Sequence, residues 1–247
     1  MLKALPPWLI DKYARLFLAY ECLPFTNEGA SNVLGSNFSS IVLSRLASRG
    51  WIERIERGKY RAVHPIVLMM EFSGHKWRDA ILKKDRLLVL ELAVAQLIQF
   101  FSKKLVSIVL FGSLARGSVK PESDIDLLLV IEGLPKEYSE RVKIIQKVLS
   151  IESIDEAIME LWNKHKVYPN LEPIAITPEE ASITHPFYLD IAEEGIVIYD
   201  KNDFMKKKIR ELKEKLKSLG SRKVILPTGE WYWILTSKPE EARRLEI

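Results

Sequence analysis

The sequence predicts a mixed α/β protein, of the α+β kind, with a helical N-terminal part and a mixed β-sheet with flanking helices. Two observations lead to this fold class. Short helical periods followed by a hairpin pattern occupy residues 1–75, and two continuous apolar runs separated by a polar turn occupy residues 105–131. The 247 residues are 47% hydrophobic and 28% charged, which is typical of a folded chain with a sizeable core.

Shifts in pattern along the chain divide it into four segments. We expect one domain in residues 1–75, a connecting helix in residues 76–104 and a second domain in residues 105–200. Residues 201–247 are expected to form a basic helix and an aromatic extension. In that extension we expect a strand that packs on the body, with base stacking as the alternative.

Composition excludes several classes of protein. A single cysteine, Cys22, rules out an internal disulfide framework and a Cys-rich zinc site. No apolar run approaches the roughly 18 residues that a membrane span needs, and the first residues lack the apolar stretch of a secretory signal. We therefore expect a cytoplasmic protein that has no membrane partner.

The N-terminal segment has the periodicity of three helices. Trp8–Glu21 has one apolar face, and Thr26 or Asn27 can cap a short second helix. Ser36 or Asn37 can cap a third helix, which Gly50 is expected to end. The residues that this third helix is expected to bury are Phe38, Ile41, Val42, Leu43 and Leu46.

A hairpin pattern follows, because residues 51–63 alternate apolar and charged side chains around Gly58. Three short helices and a basic-tipped hairpin resemble a winged helix-turn-helix domain. The resemblance implies a third helix in a DNA major groove, a wing near the backbone and, as an expectation only, a homodimer. A protein-docking module is the alternative. The expected nucleic-acid contacts are Ser39, Ser40, Ser44, Arg45, Arg49, Arg57 and Lys59, with Arg54 and Arg61 also on the wing.

Residues 105–131 contain the most specific pattern of the chain. A buried strand leads into Gly112-Ser113, and Asp124 and Asp126 lie at the start of a second buried strand. Residues two apart on a strand point to the same face, and paired carboxylates suit Mg²⁺, which also binds substrate phosphates. Glycine lets the backbone approach a phosphate, Ser113 can donate to it, and Arg116 can balance its charge.

Gly112-Ser113 followed after ten residues by Asp124-Ile125-Asp126 resembles the signature of the polymerase-β-type nucleotidyltransferases, in particular their minimal branch. The similarity extends over about 100 residues, from Leu105 to Asp200. It implies Mg²⁺-dependent transfer of a nucleoside monophosphate from an NTP to a hydroxyl, with release of pyrophosphate.

The family usually has a third carboxylate on a later strand, as general base or second metal ligand. Glu172 is the candidate here, although aspartate is more usual and the next residue is a proline. Asp155 and Glu156 are the alternatives, but their segment is predicted to be a helix.

Two functions follow as hypotheses. The first is an Mg²⁺-dependent enzyme that binds an NTP and transfers its nucleotidyl group to a protein or nucleic-acid hydroxyl. The second is a DNA-binding regulator, or a toxin–antitoxin component, whose transferase domain senses nucleotide. The intact Gly112-Ser113 and the aspartate pair favour the first hypothesis.

Overall fold

The computed structural model describes residues 3–35, 39–183, 185–227 and 231–236. The chain forms two compact units, each with segments that are distant in sequence. Unit 1 consists of Met1–Asp79, Lys83–Phe100 and Gln146–Tyr168, and unit 2 of Ala80–Leu82, Phe101–Ile145 and Pro169–Ile247.

The described helices and strands are numbered here in chain order. The α-helices are α1 (Pro7–Tyr20), α2 (Asn27–Leu34), α3 (Ser39–Ser48), α4 (Pro65–Phe72), α5 (Leu87–Phe101), α6 (Gly112–Arg116), α7 (Tyr138–Leu149), α8 (Glu152–His165), α9 (Pro178–Ser182), α10 (Phe187–Glu194) and α11 (Phe204–Ser218). The strands are β1 (Phe25–Thr26), β2 (Ile52–Glu56), β3 (Lys59–Ala62), β4 (Leu105–Phe111), β5 (Ile125–Ile131), β6 (Leu171–Ile176), β7 (Ile196–Asp200), β8 (Arg222–Ile225) and β9 (Trp231–Ile234).

Unit 1 contains the three N-terminal helices and an antiparallel sheet of order β1-β3-β2. Thr26 caps α2, since its hydroxyl accepts a hydrogen bond from the Gly29 amide at 3.1 Å. The wing, defined here as the hairpin β2–β3, turns at Gly58, whose φ of +78° suits glycine. The mixed α/β fold class, with a helix-turn-helix-like N-terminal domain, is thus confirmed.

Two expectations for residues 1–104 are wrong in part. Ile41 is 50% exposed, because α3 buries positions 39, 42, 43 and 46 and Ile41 lies outside that stripe. The expected single helix of residues 76–104 is a short 3₁₀ turn, Trp77–Ala80, followed by α5. The charged residues before Leu87 interrupt the apolar period there. Ser36, Asn37 and Phe38 lie outside the described residues.

Unit 2 is built on a four-stranded sheet of order β6-β5-β4-β7. Strand β4 is antiparallel to β5 and β7, whereas β5 and β6 are parallel. The two central strands are apolar over almost their whole length because both of their faces are buried. A core cluster joins this sheet to α10 and α11. Its fully or nearly fully buried members are Val109, Leu128, Val130, Ala181, Tyr188, Ile191 and Met205.

The last described elements belong to unit 2. The Asp200 carboxylate accepts hydrogen bonds from the Met205 and Lys206 amides at 2.9 and 3.0 Å, and so satisfies the N-terminus of α11. The hairpin β8–β9 follows, with Lys223 paired to Trp233. Among the described helices, none has both the length and the apolar character needed to cross a membrane.

Candidate active site and nucleic-acid face

The turn after β4 brings backbone against a carboxylate. Gly112 has a φ of +72°, in the left-handed region that favours glycine. A Cβ atom at this position would lie 2.7 Å from Cγ of Asp126 and would also collide with its carboxylate oxygen. Both the conformation and the contact therefore require glycine here. Ser113 follows on α6 and is half-buried.

The two aspartates lie at the start of β5. Asp126 is paired with Phe111 of β4 on one side and with Glu172 of β6 on the other. Asp124, two residues earlier, is on the same face as Asp126. Its Oδ1 accepts hydrogen bonds from the backbone amide and the side-chain Nδ2 of Asn170, at 3.1 and 3.0 Å.

Glu172 is placed by strand register. Paired residues of parallel strands share a face, so the exposed Glu172 is next to Asp126. Pro173 is compatible with β6 because this strand is at the edge of the sheet. The alternatives, Asp155 and Glu156, are exposed residues of α8 in unit 1.

The three carboxylates interact electrostatically. Burial raises the pKa of Asp126 above its ordinary value, the negative charges of Asp124 and Glu172 raise it further, and Arg116 lowers it. Negative charge is therefore concentrated at this end of the sheet, where a cation would be stabilised.

The donor set fits Mg²⁺ only as a partial site. Within the described parts of the chain, no group of three or more His, Cys, Asp or Glu side chains forms a metal site by itself. Mg²⁺ is usually held by one or two carboxylates together with waters and substrate phosphates. Asp124 and Asp126 can supply those carboxylates, so the residues present fit this ion.

Arg116 is the last residue of α6, and its side chain contacts two residues that are distant in sequence. Its Nη1 donates to Glu194 Oε2 at 3.3 Å, and its guanidinium lies 4.4 Å from the centre of the Trp231 ring. The side chain is 19% exposed. Gly112, Ser113 and Arg116 are thus in one short helix next to the aspartates.

The expected nucleic-acid contacts are divided between exposed and engaged side chains. Arg49 donates to the carbonyl of Ala4 at 2.6 Å, and Lys59 donates to Glu160 at 3.3 Å. Both are only half-buried and keep some contact with solvent. The exposed members are Ser40, Ser44 and Arg45 on α3 and Arg54 and Arg57 on the wing. Two of these also have a partner within the chain, since Arg45 lies 5.4 Å from the centre of the Trp8 ring and Arg54 Nε donates to the carbonyl of Glu56 at 3.4 Å.

Two residues expected on the exposed face are buried. Ser39 is 5% exposed and shares a hydrogen bond of 2.6 Å with Ser31, because it lies in the buried stripe of α3. Arg61 is 4% exposed and pairs with Glu91 and Glu53, each at 2.5 Å. The prediction that they face a partner is wrong, since neither presents its polar group to solvent.

Comparisons with known proteins found matches to two parts of the chain. A family model of the nucleotidyltransferase domain matches residues 94–199, and a model described as a transcriptional regulator, the AbiEi antitoxin, matches residues 24–63. A protein of Methanocaldococcus jannaschii with the provisional name protein adenylyltransferase is 30% identical over 123 residues, which is 49% of this chain and 76% of that protein. The chain belongs to the nucleotidyltransferase family.

This nucleotidyltransferase is also similar to solved structures over about half its length. One is a provisionally named nucleotidyltransferase from Sulfolobus solfataricus, at 16% identity and a TM-score of 0.27, covering 54% of this chain and 86% of that one. Another is a complex of an MNT antitoxin with the tri-AMPylated HEPN toxin of Shewanella oneidensis, at 14% identity and a TM-score of 0.29, covering 54% and 90%.

Sequence reasoning missed three residues at the site of the nucleotidyltransferase. Asn170 holds Asp124, and Glu194 and Trp231 hold Arg116. Pro169-Asn170 before an apolar strand is a turn signal that points to the first of these. The other two are 78 and 115 residues from Arg116 in sequence, and no local pattern connects them to it.

Proposed function

We propose that this nucleotidyltransferase uses Mg²⁺ to transfer a nucleoside monophosphate, AMP foremost, from an NTP to a hydroxyl group of a protein. The observation that carries the proposal is the register of β5 and β6, which pairs Glu172 with Asp126 on the face that Asp124 shares. This arrangement combines two candidate metal ligands with a candidate base. The position of Gly112 against Asp126 supports it.

The acceptor class is inferred from a relative. The Methanocaldococcus jannaschii protein, which is 30% identical over 123 residues, bears the name of a protein adenylyltransferase. Shared descent over most of that protein's length favours the same donor and the same acceptor class here. A nucleic-acid hydroxyl is the alternative, and the experiment below separates the two.

The residues have distinct roles in the proposed reaction. Glu172 takes the proton of the acceptor hydroxyl, whose oxygen attacks the α-phosphorus of the NTP. A new P–O bond forms, and the bond from the α-phosphorus to the bridging oxygen breaks, so that pyrophosphate leaves with the electron pair. The Gly112 and Ser113 amides and the Arg116 guanidinium bind phosphate oxygens. Mg²⁺ on Asp124 and Asp126 would neutralise triphosphate charge.

Label transfer tests the proposal. Each of the four α-³²P-labelled NTPs is incubated with the protein, Mg²⁺ and a lysate of the cells that express it, and the products are treated with nuclease or with protease. We expect labelled ATP to give a product that protease destroys and nuclease leaves. Chelation of the metal should abolish the label, because without the cation the two carboxylates repel the negatively charged triphosphate.

Matched variants connect the label to the site. Asp124→Asn and Asp126→Asn should each lower the label at least about a hundredfold, whereas Asp155→Asn, an exposed aspartate of α8, should leave it unchanged. Label that nuclease removes would replace the protein acceptor by a nucleic acid. A chain that binds NTP but forms no label that depends on Asp124 would refute transfer and favour nucleotide sensing.

A second function has its own support. We propose that unit 1 binds duplex DNA through α3 and the wing. The regulator family model covers residues 24–63, and Ser40, Ser44, Arg45 and Arg57 are exposed on these elements. Serine hydroxyls and arginine guanidinium groups are suited to phosphate and base-edge contacts.

Fluorescence anisotropy with a labelled duplex at several salt concentrations tests this second function. Arg45→Ala and Arg57→Ala should each weaken binding and lower the slope of log K against log salt by about one. Arg61→Leu is not used as a test of DNA contact, because Arg61 is buried. Binding that is indifferent to both exposed arginines would leave protein docking as the role of this unit.

A further inference from the structure

A cluster of charged and aromatic side chains in unit 2 includes the two described partners of Arg116. It consists of Glu194 at the end of α10, Lys223 on β8 and Trp231 on β9, and is called the Arg116 clamp below. In the chain, α10 comes just before β7, the last strand of the four-stranded sheet, and β8 and β9 come after it. None of the three has a role in the reaction proposed above.

The clamp is closely connected. Arg116 and Lys223 both lie over the Trp231 ring, at 4.4 and 4.7 Å from its centre. Glu194 pairs with both cations, at 3.3 Å from Arg116 and 2.6 Å from Lys223. The indole N–H of Trp231 donates to Asp190 of α10 at 3.2 Å, which fixes the plane of the ring.

Burial strengthens these contacts. The Lys223 side chain is 9% exposed and also pairs with Glu193 at 3.0 Å. Burial tends to lower the pKa of Lys223, but the hydrogen bonds to Glu194 and Glu193 raise it above its ordinary value. Lys223 therefore remains charged and keeps Glu194 in place. A cation over an aromatic face is stabilised most when it is partly desolvated, as Arg116 is.

Lys223 and Trp231 of the clamp lie outside the residues that the family model matches, whereas Glu194 lies within them. The family model ends at residue 199, whereas β8 and β9 begin at Arg222 and Trp231. The described contacts occupy Nη1 and the face of the guanidinium. The other N–H groups of this planar side chain can then point to phosphate oxygens in a fixed orientation.

We propose that the hairpin β8–β9 completes the nucleotide site, with Trp231 as a positioning residue that holds the Arg116 guanidinium for the phosphate groups of the NTP. The inference rests on the proposed function, in which Arg116 binds those phosphates. Trp231 touches no reacting atom itself. The ring already restricts the rotation of the Arg116 side chain, so that less conformational entropy is lost when the NTP binds.

Calorimetric titration of the full chain with ATP, GTP, CTP and UTP in the presence of Mg²⁺ tests the inference, together with KM and kcat from label transfer. Trp231→Ala should weaken binding of the preferred NTP and raise its KM by about tenfold, with kcat within about twofold. Trp231→Phe keeps an aromatic face and should restore most of the affinity.

A double-variant cycle shows whether Trp231 acts through Arg116. In an Arg116→Ala background, Trp231→Ala should have no further effect on affinity, because the group that it positions is gone. Effects that multiply would mean that Trp231 contacts the nucleotide directly, for example by stacking on the base, and would overturn the inference. Tyr232→Ala, at the adjacent and 49% exposed position of β9, is the matched control and should change nothing.

The outcomes separate this inference from the proposed function. A wild-type chain that binds none of the four NTPs refutes the proposed function, and the inference with it. If transfer depends on Asp124 but Trp231→Ala has the same KM as the wild type, the inference alone is refuted. If Trp231→Ala and Tyr232→Ala raise KM equally, general damage to the hairpin accounts for the effect and the positioning role is refuted.

Discussion

Gly112 and Gly133 have nearly the same backbone conformation, with φ of +72° and +71°, but different surroundings. A Cβ atom at Gly112 would collide with Asp126, whereas at Gly133 it would meet nothing within 4 Å. The two glycines therefore separate the cost of a strained backbone from the cost of displacing a carboxylate.

Gly112→Ala and Gly133→Ala should each lower the free energy of unfolding by about 1 kcal/mol or more, since alanine is disfavoured at positive φ. Only Gly112→Ala should also lower kcat/KM for label transfer, by about a hundredfold, because it displaces Asp126. Urea denaturation and label transfer measure the two quantities. Equal activity in both variants would show that the close approach to Asp126 has no role.

Asn170 fixes Asp124 through a side-chain hydrogen bond of 3.0 Å. Asn170→Ala should lower kcat/KM on the order of tenfold with little loss of stability, since partners that orient metal ligands have effects of this size. Asn170→Asp should be more harmful, because it replaces a donor by a negative charge beside Asp124. Asn163→Ala, on the exposed surface of α8, is the control. If Asn170→Ala were as active as Asn163→Ala, the orienting role of Asn170 would be excluded.

At the scale of elements, one carboxylate connects α5 to the rest of unit 1. Glu91 is fully buried and accepts hydrogen bonds from Arg61 of β3, at 2.5 Å, and from Arg78 of the 3₁₀ turn, at 2.9 Å. Burial by itself would raise the pKa of Glu91, but the two arginines hold it below its ordinary value. The helix is therefore attached to the wing by charge as well as by apolar packing.

Glu91→Gln should lower the free energy of unfolding by roughly 3 kcal/mol, because it removes the fully buried negative charge that pairs with both guanidinium groups and leaves them only Glu53 and Glu71. The exposed Glu156→Gln is the control in the same unit. Urea denaturation of the two variants measures the difference. A cost equal to that of the control would mean that the ion pairs contribute nothing net.

Acidification should weaken the same connection. Because the pKa of Glu91 is lowered in the folded state, its contribution is present above about pH 4.5 and is lost as the pH falls through the lower folded-state pKa. The stability of the wild type should therefore decrease more steeply below pH 4.5 than that of Glu91→Gln. Parallel pH profiles of the two proteins, measured by urea denaturation, would contradict this.

At the scale of the whole molecule, the chain leaves and re-enters each unit. Residues 146–168, which sequence analysis assigned to the nucleotidyltransferase domain, belong to unit 1 as a compact body. Within that unit, Glu160 of α8 pairs with Lys59 of the wing. Unit 1 thus consists of segments that are distant in sequence, and a truncation after the N-terminal segment would remove part of it.

A fragment of residues 1–75 should therefore fold poorly, since it contains the buried Arg61 without Glu91. Circular dichroism and cooperative thermal unfolding, compared with the full chain, measure this. Arg61→Leu in the fragment should restore helical signal more than Arg57→Leu, because only Arg61 is a buried charge. A fragment as cooperative as the full chain would show that the N-terminal helices and wing are independent.

Local patterns in the sequence determined the elements and the core of the candidate site. Thr26 as a helix cap, Gly58 at the tip of the wing and the aspartate pair at the start of a buried strand are all properties of neighbouring residues. Such features depend on backbone geometry and periodicity over a few residues, and these are visible without a fold.

Only the tertiary structure decided which distant residues meet. It paired Glu172 with Asp126, placed Asn170 on Asp124, brought Trp231 to Arg116 and buried Arg61 against Glu91. Register between strands and packing between elements bring these residues together, and neither is encoded in the periodicity of a single segment. The sequence by itself thus determined most of the elements and the candidate site residues, and the tertiary structure decided their partners.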